Sequence, residues 1–300
     1  MKTFTKVALI IGGVTLSAGI ALTTIGAIAN KGKPIYMYYD HGFHIDNEGK
    51  VFEQEKMVVD DFRSVNIDVP ASEIHFIESD EYAVEYKLNA REVKCESKNG
   101  TLTVDTDTKK FHINFGINWS SEDYFVNVYY PKGADFDLIT LDVSAGDVNI
   151  DKGFDCNKLS LDISAGDVTI SNVNGALDVD MSAGDFTATD CTFGNSIFDM
   201  SAGDVELHNC TVDGGKVDMS AGSFTAKELI LTKSFSMDMS AGSVTIKFVD
   251  GQEIGYDFDM SAGTAKINGE KKGDEYEEKK GYDVILSVDA SAGSVDITNN

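Results

Sequence analysis

The pattern of apolar and polar positions is the strongest signal in this chain. From residue 141 onward, apolar side chains alternate with polar ones in short runs, broken at regular intervals by the phrase Ser-Ala-Gly, which begins at Ser144, Ser164, Ser182, Ser201, Ser220, Ser240, Ser261 and Ser291. The intervals are 20, 18, 19, 19, 20, 21 and 30 residues. Three before each serine stand Leu141, Leu161, Val179, Phe198, Val217, Met237, Phe258 and Val288. One before it stand Val143, Ile163, Met181, Met200, Met219, Met239, Met260 and Ala290. Between these two apolar positions an aspartate recurs every time: Asp142, Asp162, Asp180, Asp199, Asp218, Asp238, Asp259 and Asp289. A period of two is that of a strand with one buried face. Beyond the phrase, apolar residues resume four and six past the serine, as in Val148 and Ile150 or Val168 and Ile170. Inward positions are odd before the serine and even after it, so one residue of register is absorbed at Ala-Gly. Glycine reaches the positive-φ geometry that such a corner requires. Each unit therefore reads as strand, corner, strand.

A repeat near 20 residues predicts a solenoid, in which each coil buries its apolar face against its neighbours. The expected fold class is all-β: a single-stranded β-solenoid (β-helix) of about 20-residue SAG(D/S) coils, preceded by one N-terminal transmembrane helix. The expected organisation is an anchor or uncleaved signal over 1–33, a linker with a leading strand over 34–59, irregular coils or a cap over 60–140, and the regular solenoid over 141–300. "IDVPASEIHF" (Ile67 to Phe76) aligns with "LDISAGDVTI" as a degenerate copy. "FHINFGINW" (Phe111 to Trp119) alternates within the irregular part. The charged stretch 269–281 in the long last interval reads as a solvated hairpin or loop extruded from one coil.

The N-terminus changes the setting. Lys2 and Lys6 precede an uncharged 23-residue run from Val7 to Ala29. As a helix it would extend about 35 Å, enough to cross the hydrocarbon core of a bilayer. Ala27-Ile28-Ala29 also fits a signal-peptidase site, so anchor and cleaved signal both stand. Either one places the rest of the chain outside the cytoplasm, at the cell membrane as a single-pass protein in the first case.

Charge then narrows the partners. The chain holds 50 acidic and 25 basic side chains, a formal net charge of −25, and its two arginines are Arg63 and Arg91. So negative a surface repels nucleic acid and anionic lipid. It suits cations, cationic peptides and neutral polysaccharides, and the expected partners are an envelope protein or polysaccharide. An open solenoid end also makes self-association possible.

The aspartates are the foremost candidate chemistry. Asp142, Asp162, Asp180 and Asp199 form one column of carboxylates, and Asp147, Asp167, Asp185 and Asp204 form a second beside the corner. Together they could hold a row of weak Ca²⁺ sites. The competing role is structural, with Asp and Ser side chains bonding corner N–H groups and keeping an exposed sheet soluble. No other cofactor is expected. The methionine column from Met181 to Met260 reads as core filling rather than soft-metal ligation. Cys191 and Cys210 stack on adjacent coils and read either as a disulfide or as two buried thiols. His41 and His44, beside Asp40 and Asp46, have metal-like spacing but no framework. Carboxylates that recur in every coil read as scaffold, whereas an active site breaks the pattern at one place. The chain is therefore not expected to be an enzyme, and a carbohydrate-active β-helix is the minor alternative.

The short lysine-bearing N-terminus, "FRSVNIDV", "VNVYYPKGADFDLITLDVSAGDV" and the SAGD repeats together resemble the bacterial β-strand-repeat family labelled "putative adhesin". It is a domain of unknown function common in Gram-positive membrane proteins, similar to accessory proteins encoded with cell-envelope stress systems. The resemblance covers about residues 60–300. It implies a right-handed-type β-solenoid on the outer surface, and it brings no catalytic residue with it.

Overall fold

The computed structural model describes residues 35–39, 43–46, 50–106, 112–115 and 123–299, and every regular element among them is a β-strand. No helix among the described residues is long and apolar enough to cross a membrane; the segment 7–29 lies outside them.

Each coil contributes two strands, one on each side of the corner. The strand Asp135–Ala145 pairs in parallel with Asp155–Ile163, which pairs with Asn174–Met181, and that with Thr192–Ala202. The short strands after the corner stack in a second parallel series, Val148–Ile150, Val168–Ser171, Phe186–Thr189 and Val205–His208. The element Thr211–Phe248 runs on through two further coils. Register is that of the repeat: Leu141 on Leu161, Asp142 on Asp162, Val143 on Ile163. It is convenient to name each coil by its aspartate.

The inward positions expected from the alternation are all buried, from Leu141, Val143, Val148 and Ile150 in one coil to Val288, Ala290, Val295 and Ile297 in another. They form one continuous core. Phenylalanines fill it in the middle coils, with Phe186 and Phe198 edge to face at 5.3 Å between centroids. The methionines from Met181 to Met260 lie in this core, as filling.

The corner has a steric cause. Gly146, Gly166, Gly184, Gly203, Gly222, Gly242, Gly293 and Gly263 all have φ between +124° and +152°. A Cβ on Gly203 would stand 1.8 Å from the carbonyl oxygen of Gly184. The same overlap recurs down the column, so any side chain here would push two coils apart. The second corner uses a left-handed residue instead: Asn172, Asp190, Asn209, Glu228 and Asn268 have φ of 51–57°. Asn and Asp tolerate that region because their short polar side chains bond locally.

Spatial order departs from sequence order at both ends. The Asp289 coil does not follow the Asp259 coil; it lies between the Asp238 and Asp259 coils, with Asp238 opposite Asp289 and Asp259 opposite Asp289. The glycine column gives the same order, with Gly293 against Gly242 and Gly263 against Gly293. At the other end the degenerate copy is a full member of the stack, with Leu141 on Ile67 and Val148 on Ile74. Outside it lie Thr101–Asp105, parallel to Ser64–Ala71, and Phe125–Pro131, parallel to Glu73–Ser79.

Each outermost coil is then covered by antiparallel strands. Lys94–Lys98 pairs with Thr101–Asp105, Ala83–Ala90 with Phe125–Pro131, and Lys50–Val58 with Ala83–Ala90. At the far end Glu275–Glu278 pairs with Gly255–Met260, and Glu270–Lys271 with Gly263–Ile267. The stretch 269–281 is mostly exposed and hairpin-like, but folded back on the stack instead of extruded from it. It turns back and occupies the edge donors and acceptors of the last coil, which otherwise invite pairing with another chain. A separate antiparallel sheet joins Ile35–Tyr39 to Phe43–Asp46 and His112–Phe115. His112–Phe115 is the described part of the alternating run 111–119. His41 lies outside the described residues, and of His44 only its place in a strand is described.

Candidate functional site

The two aspartate columns differ in what their carboxylates do. Asp147, Asp167, Asp185 and Asp204 sit just after the corner glycine, where strand pairing is interrupted. The Oδ1 of Asp147 accepts the N–H of Asp167 at 2.9 Å, that of Asp167 accepts the N–H of Asp185 at 2.9 Å, and that of Asp185 accepts the N–H of Asp204 at 2.9 Å. Asp204 in turn accepts the N–H of Ser223 at 2.7 Å. Each carboxylate satisfies an amide left over by the corner, which is the stabilising use of Asp and Ser at chain reversals. From Ser223 onward the column changes to hydroxyls, and Ser243 Oγ donates to Ser223 Oγ at 3.2 Å.

The first column faces outward and is longer than the repeat alone suggests. With the order of coils inverted at both ends, ten aspartates align one per coil: Asp105, Asp68, Asp142, Asp162, Asp180, Asp199, Asp218, Asp238, Asp289 and Asp259. Neighbours repeat at the strand spacing of about 4.8 Å, so each adjacent pair repels by about 1 kcal/mol even at the dielectric constant of water. Lys216 Nζ lies 3.0 Å from Asp218 Oδ2. Its charge is held on chiefly by that hydrogen bond, with Asp238 and Asp199 on the flanking coils adding to it. Among the described residues, Asp142, Asp162, Asp180, Asp199, Asp238, Asp289 and Asp259 form no ion pair. The carboxyl of Asp162 is raised above the usual aspartate range, first by partial burial and then by Asp142.

No three His, Cys, Asp or Glu side chains among the described residues converge as a metal cage would require. The column is instead a row of single carboxylates, one from each coil, on an outward strand face. Beside it runs a row of small polar and mixed side chains, among them Asn66, Thr140, Ser160, Asp178, Ile197, Lys216 and Ser236. Ile197 is exposed, as is Leu138.

Arg63 marks where the chain enters this face. Its guanidinium spans Asp135 at 3.0 Å and Asp137 at 3.1 Å, and the pairing holds the Asp137 carboxyl below its usual range. This ties the start of the Asp142 coil to the Asp68 coil. The parts of the site that sequence reading missed are Asp105 and the placement of Asp289 between Asp238 and Asp259. "TLTVD" (Thr101 to Asp105) carries the same alternation ending in aspartate, and that was the available signal.

The fold has a counterpart among known proteins. The profile of the Toastrack DUF4097 family matches residues 62–298. The chain belongs to that family. Among solved structures, this Toastrack chain is similar to a "putative adhesin" from Bacteroides fragilis NCTC 9343, with a TM-score of 0.52 and 16% identity over 84% of this chain and 97% of that one. It is also similar to a "putative adhesin" from Parabacteroides distasonis ATCC 8503, with a TM-score of 0.41 and 13% identity over 84% and 98% of the two chains. At such identities the first likeness shows the shared fold. None of the curated proteins compared with this Toastrack chain matches it.

Proposed function

We propose that the chain is a membrane-anchored, extracytoplasmic binding and display module, an adhesin-type Toastrack domain that presents its acidic face to a protein or polysaccharide of the cell envelope. The observation that carries this reading is the unbroken outward column of ten aspartates. Repulsion along it opposes folding, and buried-core or corner needs do not explain it, since the core is made by the inward positions and the corner amides are served by the second column. A repeated like charge on a rigid face is a device for meeting opposite charge or a hydroxyl-rich surface. The carboxylates repeat in register instead of converging on one point, which favours a non-enzymatic role. A second reading, an accessory part of envelope-stress sensing that contacts cationic peptides, draws on the same charge.

The test is adhesion of cells displaying the full chain to immobilised wall polysaccharide and to a cationic protein film. It is compared with the triple variant D162N/D180N/D199N, which keeps shape and hydrogen-bonding capacity. Loss of retention in the variant, at equal surface display, supports the reading. Equal retention of both overturns it.

A further inference from the structure

Two buried thiols lie outside everything the acidic face uses. Cys191 and Cys210 each follow a left-handed residue, Asp190 and Asn209, at the second corner of consecutive coils. Thr192 is in register with Thr211, and the Thr211 N–H donates to the Cys191 carbonyl at 2.9 Å. Residues 191 and 210 are therefore one coil apart in equivalent positions, with Cα atoms separated by about the strand spacing of 4.8 Å. That falls inside the window of about 4.4–6.8 Å in which a disulfide closes without moving the backbone.

The side chains also point together. Both lie in one inward column with Val173 and Leu229. Cys210 Sγ reaches back 3.6 Å to the carbonyl of Ala188, in the coil of Cys191. The remaining cysteines are placed differently: Cys95 sits in the N-terminal cap opposite Val104, and Cys156 lies at the start of the Asp162 coil, where its Sγ packs on Gly175. We infer that Cys191 and Cys210 form an oxidation site that closes into a cross-coil disulfide, a staple around one full turn of the solenoid.

The oxidant is a small-molecule disulfide. During local opening, the thiolate of one cysteine attacks it, releasing one reduced thiol and leaving a mixed disulfide on the protein. The second cysteine then attacks the protein-side sulfur, the Cys191–Cys210 bond forms, and the second small thiol leaves. The net change is loss of two S–H bonds from the protein and reduction of one external disulfide to two thiols. The ring so closed runs from Cys191 to Cys210 and encloses one complete coil, so that coil can no longer leave the stack independently.

The experiment uses the full chain, incubated with oxidised glutathione or kept reduced, then unfolded in guanidinium for thiol counting and peptide mapping. The four free thiols of the reduced protein are expected to fall to two, with one linked peptide pair containing Cys191 and Cys210. The melting temperature is expected to rise by about 5–10 °C. C191V, which places at 191 the residue type of Val173, preserves the column and should show three thiols with or without oxidant. Four thiols after oxidation, a lasting glutathione adduct on Cys191 or Cys210, or a bridge to Cys95 or Cys156 would each overturn the assignment.

Discussion

Gly203→Ala tests the physical origin of the corner. Gly203 has φ +132°, a region alanine occupies only under strain, of about 1–3 kcal/mol. Its new Cβ would also stand 1.8 Å from the Gly184 carbonyl oxygen, 2.8 Å from the Gly184 carbonyl carbon and 3.3 Å from its nitrogen. These are backbone atoms held by parallel pairing on both sides, so relief requires the Asp180 and Asp199 coils to separate. Overpacking of this kind adds about 1–3 kcal/mol. The expected sum is about 2–6 kcal/mol, a fall in melting temperature of about 4–12 °C for a chain of this size. Gly251→Ala is the matched control. Gly251 also has positive φ, at +80°, but nothing lies within 4 Å of where its Cβ would be. It carries the conformational cost alone, about 1 kcal/mol, or about 2–3 °C. Thermal melts of the two variants by far-UV circular dichroism make the comparison. Equal shifts would refute the claim that glycine is required by contact between coils rather than by backbone angle.

Other consequences are as direct. Asp162 has a folded pKa above its unfolded value, so the folded state holds the proton more tightly and stability is lost as pH rises from the unfolded value through the folded one. D162N should therefore melt higher than wild type at pH 7, with the gap closing as pH falls toward 3; a constant gap across that range would contradict the assignment. D167A removes the acceptor of the Asp185 N–H and should cost about 1 kcal/mol in urea unfolding, while D167N, which keeps a carbonyl oxygen there, should recover most of it. Replacing 270–280 by a short glycine linker exposes the edges of Gly255–Met260 and Gly263–Ile267, and light scattering should report association of the shortened chain while the intact chain stays dispersed.

The regular coils were legible because three independent signals agree there. Alternation placed Val179 and Met181 inside and Asp180 outside, Ala-Gly marked the register change, and a spacing near 20 set the coil length; Ile67 to Phe76 obeyed the same code in degenerate form. The ends were not legible, and for a physical reason. A coil with apolar residues inside, aspartate outside and glycine at the corner fits equally well against any other such coil, so periodicity fixes the shape of a coil but not its neighbour. What sends the Asp289 coil inside the Asp259 coil is the long stretch 269–281, whose strands cover the outer edges of the Asp259 coil and leave only its inner edges for the last coil. The sequence showed that stretch as charged and long, and both traits also suit a free loop. The second aspartate column was similarly ambiguous, because ligation of a cation and acceptance of a corner N–H call for the same residue at the same place.

The order of the coils along the acidic face is the central structural claim, and engineered cross-links measure it. Thr245 pairs with Asp296, and Asp296 with Lys266. T245C/D296C and D296C/K266C should each form a disulfide in the native full chain, identified by peptide mapping. T245C/K266C should not, since two coil rises, about 9.6 Å, exceed the reach of the bond. Cross-linking of T245C/K266C with failure of T245C/D296C would mean the coils stack in sequence order, with Asp259 rather than Asp289 beside Asp238 in the acidic column.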